Sequence, residues 1–365
     1  LLRNSYVSWV TRIPRDDDFE GLASSLRRVG GNYFLRNIIE ALKELYGVDI
    51  SDLSVESLKL ASKRIEHAYR SEDWQRKVLR EKARVMKCVL DPYWDVWLED
   101  YDEELFVPAL RINMFLYGYN REARDHNGNS PYILADKLGL QVESFDDYLE
   151  MIDRVLSLAL KRGFVCLKSA LAYDRSLCFE EIPGEEARKV FGKAKITKAE
   201  EKKFGDFIMH YILSKAEELE LPIQFHTGLA RIEGSNPMNL VNLFKKYPNV
   251  KFILFHGGYP WTSETIALAL TFPNVYLDIC WLPLISPTVA ERFLLEALEV
   301  VGDSRLMWGG DSWFVEEAYG AARTTRQILA SALARLLRRE QLSLRDVLDI
   351  GVRVLRLNAE NIMNI

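Results

Sequence analysis

Two histidines close short apolar runs and are each followed by glycine. Ile223–Phe225 leads into His226-Thr227-Gly228, and residues 251–255 lead into His256-Gly257-Gly258. An imidazole can ligate a borderline divalent ion, move a proton or polarise a carbonyl. An amphipathic stretch at 238–247, closed by Pro248-Asn249, separates the two runs. Apolar run, helix, apolar run is the pattern of a βαβ unit, whose crossover makes the strands parallel. Both imidazoles then stand at the carboxyl ends of neighbouring strands, which in a (β/α) barrel is the reacting face. A lone histidine at a strand end is more often a hydrogen-bonded structural residue. The repeated pattern of strand, histidine and glycine is what favours a functional reading.

The elements that must position these residues alternate in the same way. Further strand-like runs lie at 85–90, 105–112, 164–171, 275–281 and 305–309, with helical segments between them. Their ends present Asp91, Arg111, Lys168, Asp278 and Asp311. No glycine-rich dinucleotide or phosphate-loop fingerprint follows a strand. The expected class is therefore α/β, a TIM-type (β/α)8 barrel; because such a barrel needs eight strands, its first strand is missing from this pattern. Residues 1–83 read as a mostly helical N-terminal segment or insertion and 84–365 as the barrel, one structural domain overall. Within the first segment, helices are expected at 33–46, 54–69 (after the cap candidate Ser51-Asp52) and 72–82, following an irregular stretch around Pro14 and Asp16-Asp17-Asp18.

Each candidate has a plainer role. Asp311, between Gly310 and Ser312, could cap a helix beginning near Phe314, and Lys168 could be an ordinary lysine seeking solvent. His67 and His210 fall within helices and read as surface or packing residues. His126 lies in a loop (114–144) long enough for a lid, as is 179–195. Trp281, Trp308 and Trp313 could line a pocket or fill a core.

Bulk properties exclude several classes. Of 365 residues, 48% are hydrophobic and 28% charged, an ordinary balance for a soluble protein. A net charge of −5 provides no basic field for nucleic acid. No apolar stretch is long enough to cross a bilayer, and the first residues lack a signal-peptide layout, so a cytoplasmic setting is expected. Cys88, Cys166, Cys178 and Cys280 show no paired spacing, and a reduced chain is expected.

The stretches FVCLKSALAYDRS (164–176), IQFHTG (223–228), FILFHGGY (252–259), VYLDICWLP (275–283) and LMWGGDS (306–312) occur in this order. In them the sequence resembles the amidohydrolase superfamily, in particular the amidohydrolase-2 group of metal-dependent hydrolases, decarboxylases and related enzymes. Within that group it is similar to the amidohydrolase domains fused ahead of glutamine-synthetase-like domains. The resemblance implies that His226 is a metal ligand, and that Asp311 ligates the metal or takes a proton from its water. It implies that His256 is a second-metal ligand or an acid–base, substrate-polarising residue. Arg111, Lys168 and Arg175 would hold a substrate carboxylate, with Tyr173 and Trp281 beside it. The implied cofactor is a divalent metal, Zn2+, with one ion favoured over two; a carboxylated Lys168 bridging two ions ranks second. The family also begins with a His-x-His strand, which this sequence lacks. The expectation is that the sequence starts after that strand, with a true loss as the alternative.

The expected function is metal-dependent hydrolysis of an amide-like C–N bond in a small carboxylate-bearing molecule. The alternatives are a decarboxylase or uronate-isomerase-like enzyme on the same site, or a catalytically degenerate barrel acting as a binding or assembly domain. A small-molecule substrate is the expected partner, and homo-oligomerisation is left open.

Overall fold

Seven strands form within the apolar runs singled out above: β1 Cys88–Leu90, β2 Phe106–Arg111, β3 Cys166–Ser169, β4 Ile223–Phe225, β5 Phe252–Leu254, β6 Val275–Asp278 and β7 Leu306–Met307. This is a computed structural model, and it describes residues 1–15, 17–93 and 95–365; Asp16, from the acidic run, lies outside the described residues, as does Trp94. Every pairing is parallel and the order is sequential, β1 to β7. The architecture is the TIM-like α/β arrangement expected, with β1 and β7 as the two edges of the sheet. The strands are shorter than the runs because the chain turns as soon as its ladder ends. Phe255–Gly258, for example, already forms a tight turn in which His256 and Gly257 have positive φ. β3, β4 and β5 are buried throughout, as strands covered on both faces must be.

The chain packs as two compact units. One comprises Lys87–Asp278, Glu296–Met307 and Val352–Ile365 and contains the whole sheet; the other comprises Leu1–Met86, Ile279–Leu295 and Trp308–Gly351. In the sheet-bearing unit the connecting helices start on strong local signals. Ser144 and Asp147 form a reciprocal cap on the helix Phe145–Lys161, and Thr197 and Glu200 do the same for Lys198–Glu218. Such caps satisfy backbone N–H groups that the helix itself cannot. Among the described residues no helix is long and apolar enough to cross a membrane.

In the other unit the helix Tyr33–Tyr46 packs along Val315–Arg338. The helix Val55–Ala68 is capped by Ser54, not by the expected Ser51-Asp52 pair; Asp52 instead accepts hydrogen bonds from the Ser54 N–H and the Ser57 hydroxyl. The expected helix 72–82 is a short α-helix, Trp74–Lys77, continued by a π turn. A buried carboxylate joins these pieces. Glu316 accepts hydrogen bonds from the Tyr46 and Tyr69 hydroxyls, and Trp74 Nε1 donates to the Tyr46 oxygen at 3.1 Å. Removing one donor leaves a buried charge under-solvated. Tyr46→Phe is therefore expected to destabilise the fold by about 1–3 kcal/mol in urea unfolding. Tyr69→Phe, at a residue 37% exposed, should cost less.

Candidate active site

Register places the polar strand-end residues of the sheet-bearing unit on one face. Lys168 pairs with Arg111 on one side and Gln224 on the other. Side chains alternate along a strand, so His226, two residues beyond Gln224, points the same way. Asp91, one step past the Leu90–Pro108 pair, is level with Ala109 and shares the face of Arg111.

His226 and His256, the two histidines first singled out, come together. Nδ1 of His226 lies 2.9 Å from Nε2 of His256, and Nε2 of His226 lies 2.8 Å from the Leu229 carbonyl oxygen. A carbonyl can only accept, so His226 carries its hydrogen on Nε2 and its lone pair on Nδ1. Both residues are buried. The glycines after them have defined roles. Gly228 has φ +84°, and a Cβ there would lie 2.0 Å from the Tyr259 carbonyl oxygen; at Gly258, φ +65°, it would lie 1.9 Å from Thr265 Oγ1. The turns that carry the imidazoles therefore close only on glycine. His256 has φ +66°.

The cations on this face differ in how they are used. The Arg111 fork is taken by Asp91 (Nε 3.0 Å, Nη2 2.6 Å), its Nη1 donates to Asn127 Oδ1 at 3.0 Å, and it lies 4.3 Å from the Tyr93 ring. Burial alone would raise the Asp91 carboxyl, but Arg111, helped by Lys168, holds it below the usual carboxylate range. Arg111 is therefore clasped by a carboxylate of its own chain. Arg175, expected to hold substrate, is committed elsewhere: its guanidinium pairs with the buried Asp206 and reaches the Ser176 carbonyl. These contacts tie it to the helix Lys198–Glu218. Lys168 is buried, with Nζ 3.4 Å from the centre of the Phe255 ring.

Tyr173 stands beside the imidazole pair, its ring 4.5 Å from that of His226. Next to it is a pairing with no local signature in the chain: His126 Nδ1 lies 2.8 Å from Asp174 Oδ2. Asp125, in the same loop, is buried and its carboxyl is raised, chiefly by that burial. His210 is a packing residue, bonded through Nδ1 to the Tyr247 hydroxyl, and His67 is exposed on its helix.

Asp311 and Trp281 belong to the other unit. Asp311 does not cap the following helix, whose N-cap is Phe314 without a side-chain bond; the Asp311 carbonyl accepts the Tyr6 hydroxyl at 2.5 Å. The Cys280 thiol lies within 4.8 Å of an Asp311 carboxylate oxygen, an association that the cysteine spacing does not reveal. Trp281 is a core aromatic of its unit, with Tyr6, Trp9 and Phe34 packed around it at centroid distances of 4.7, 5.3 and 5.9 Å. Glu317, one turn into the helix, accepts the backbone N–H groups of Tyr6 (3.2 Å) and Trp313 (3.1 Å).

Comparison with known proteins places this arrangement. The profile of the Amidohydrolase family matches residues 185–340, a span that includes His226, His256 and Asp311. That span is less than half of the chain. A curated relative, Protein fluG of Emericella nidulans, is 36% identical over 135 residues, 34% of this chain. The match spans only 16% of that relative's length. Three solved structures share the chain's fold. A protein described as a metal-dependent hydrolase, from Lactobacillus casei, superposes with TM-score 0.72 at 19% identity, covering 97% of this chain and 92% of its own. Uronate isomerase of Thermotoga maritima gives 0.78 at 18%, covering 96% and 83%. Glucuronate isomerase of Caulobacter crescentus gives 0.69 at 16%, covering 96% and 78%.

Glu317 makes stability depend on pH. Burial, reinforced by the Asp311 and Glu316 charges, raises its carboxyl from 4.5 to about 7, against the lowering effect of its two backbone donors. The fold thus favours the protonated acid. Its contribution is complete below 4.5 and is lost as pH rises through about 7. Wild-type stability relative to Glu317→Gln is expected to fall by roughly 3 kcal/mol across that window in unfolding titrations. A difference that does not change with pH refutes this assignment.

Proposed function

We infer that the chain is a metal-dependent hydrolase that activates water to cleave an amide-like C–N bond in a small, carboxylate-bearing substrate. The observation that carries this reading is the imidazole pair at the ends of β4 and β5, 2.9 Å apart, with His226 oriented by the Leu229 carbonyl. Histidines that ligate metals commonly donate their second N–H to a carbonyl or carboxylate, which leaves the facing nitrogen's lone pair available. The donor set therefore fits a divalent ion such as Zn2+, held by Nδ1 of His226 and Nε2 of His256. Asp311 joins the reading through its sequence motif, as a ligand or as the acceptor of the water's proton. Such an ion, when bound, would supply a nucleophilic water at neutral pH. His256 would orient the carbonyl that is attacked. Lys168, buried on the same face as Arg111, would neutralise the substrate's carboxylate. One ion suits this pair better than two, because Lys168 over the Phe255 ring is placed as an ammonium rather than as a carbamate ligand.

A second reading keeps the same residues for isomerisation of a uronate. It is supported by the Thermotoga maritima neighbour, whose name gives that activity.

Metal analysis of the purified chain tests the reading, together with turnover assays on N-acyl amino acids and on D-glucuronate. The expected result is about one zinc-like ion per chain, with affinity falling at least tenfold to a hundredfold in His226→Ala. Hydrolysis without isomerisation would select the first reading and isomerisation alone the second. Absence of both metal and turnover would leave a binding or assembly barrel.

A further inference from the structure

The loop between β2 and β3 brings an imidazole to the site from 48 residues upstream of its carboxylate partner. His126 Nδ1 lies 2.8 Å from Asp174 Oδ2, and the His126 backbone N–H donates to Asp174 Oδ1 at 3.0 Å. Asn113 steadies the same carboxylate through an Nδ2 bond of 3.1 Å, and its own Oδ1 accepts the Ala170 N–H at 2.8 Å. The loop is fixed on its other side too, where Asn127 accepts from Arg111 and Asp125 accepts the Asn127 and Asn129 N–H groups. The Asp174 side chain is 6% exposed and that of His126 is 23% exposed. The carboxylate is thus sealed in while the imidazole still meets open space. Because a carboxylate only accepts, the hydrogen lies on Nδ1 and the working lone pair on Nε2. The His126 ring is 5.4 Å from Tyr173, whose ring is 4.5 Å from His226. Such an arrangement, an imidazole oriented by a buried carboxylate near a nucleophile site, is suited to general acid–base work.

We propose that His126, held in its tautomer by Asp174, is the acid–base residue that protonates the leaving group at this site. The proposal rests on the hydrolytic reading above. As the C–N bond breaks, its electron pair stays on nitrogen, which takes the proton from Nε2 of the His126 imidazolium. The imidazole is left neutral, with Nδ1–H still donated to Asp174. Over a full cycle the oxygen of one water ends in the product carboxylate. Both of its protons end on the product ammonium, one of them passed through His126.

The test uses the full chain with zinc added and two substrate series that share one dicarboxylic acyl group. One series consists of alkyl amides, whose leaving nitrogen needs a proton; the other consists of 4-nitrophenyl esters, whose phenolate does not. His126→Ala and His126→Gln are expected to lower kcat/KM on the amides about a hundredfold and on the esters less than about threefold. Asp174→Asn should shift the amide reaction in the same direction. Equal losses in both series would make His126 a structural residue and overturn the proposal. Wild-type protein that turns over neither series would overturn the hydrolytic reading itself, a different outcome. The tautomer is read without any variant in 15N-histidine spectra of the wild type at a pH where the ring is neutral, where a hydrogen on Nε2 with Nδ1 bare at His126 would overturn the proposal regardless of kinetics.

Discussion

Adjacent strands of a sheet lie about 4.8 Å apart, so residues at the same level of two parallel neighbours are forced into contact. The rest of the site depends on that constraint acting on β4 and β5. Phe225 pairs with Leu254, so His226 and His256 leave the sheet within a residue of the same level. Two facing ring nitrogens at 2.9 Å have room for one hydrogen between them. The pair must therefore share a proton or share an ion, and in neither case can both imidazoles be charged without repulsion. The surrounding hydrogen bonds hold the geometry: Thr227 Oγ1 donates to the Phe255 carbonyl, and the Gly228 N–H donates to the Ser235 carbonyl.

Charge on the same face is largely settled internally. Asp91 and Arg111 compensate one another, as do Arg175 and Asp206 in the layer behind. A buried pair of this kind adds little net stability but is costly to break, so it fixes side chains rather than driving folding. Lys168 is buried on the same face, and the Phe255 ring beside it offsets part of its desolvation. The same economy explains Asp174. Its carboxylate is buried yet supplied with donors from His126 and Asn113, so it can keep a charge away from water.

The sheet was legible in the sequence because each strand is a short apolar run bounded by turn residues, and that pattern depends on nearest neighbours. The helices Tyr33–Tyr46 and Phe145–Lys161 were equally plain, since amphipathic spacing and caps are local. Strand-end histidines inherited their legibility from the strands. What sequence could not convey was which partner each side chain would find. Arg111 and Arg175 were recognisable as strong cations, but their carboxylates lie 20 and 31 residues away, at positions with no local signature. The His126–Asp174 pair was hidden for the same reason, with its histidine in a loop that shows no periodicity. Trp281 could be named as aromatic, but whether it lined a cavity or filled a core was decided by Tyr6, Trp9 and Phe34, all of them far away in the chain.

His256 adopts a backbone conformation that side chains with a Cβ ordinarily avoid, in front of two glycines that share it. A left-handed residue other than glycine or asparagine costs roughly 1–2 kcal/mol. Folding alone would be better served by another glycine at this position. The imidazole thus stands against the preference of its own backbone, so His256→Gly should relieve conformational strain at the very position where it removes the ring.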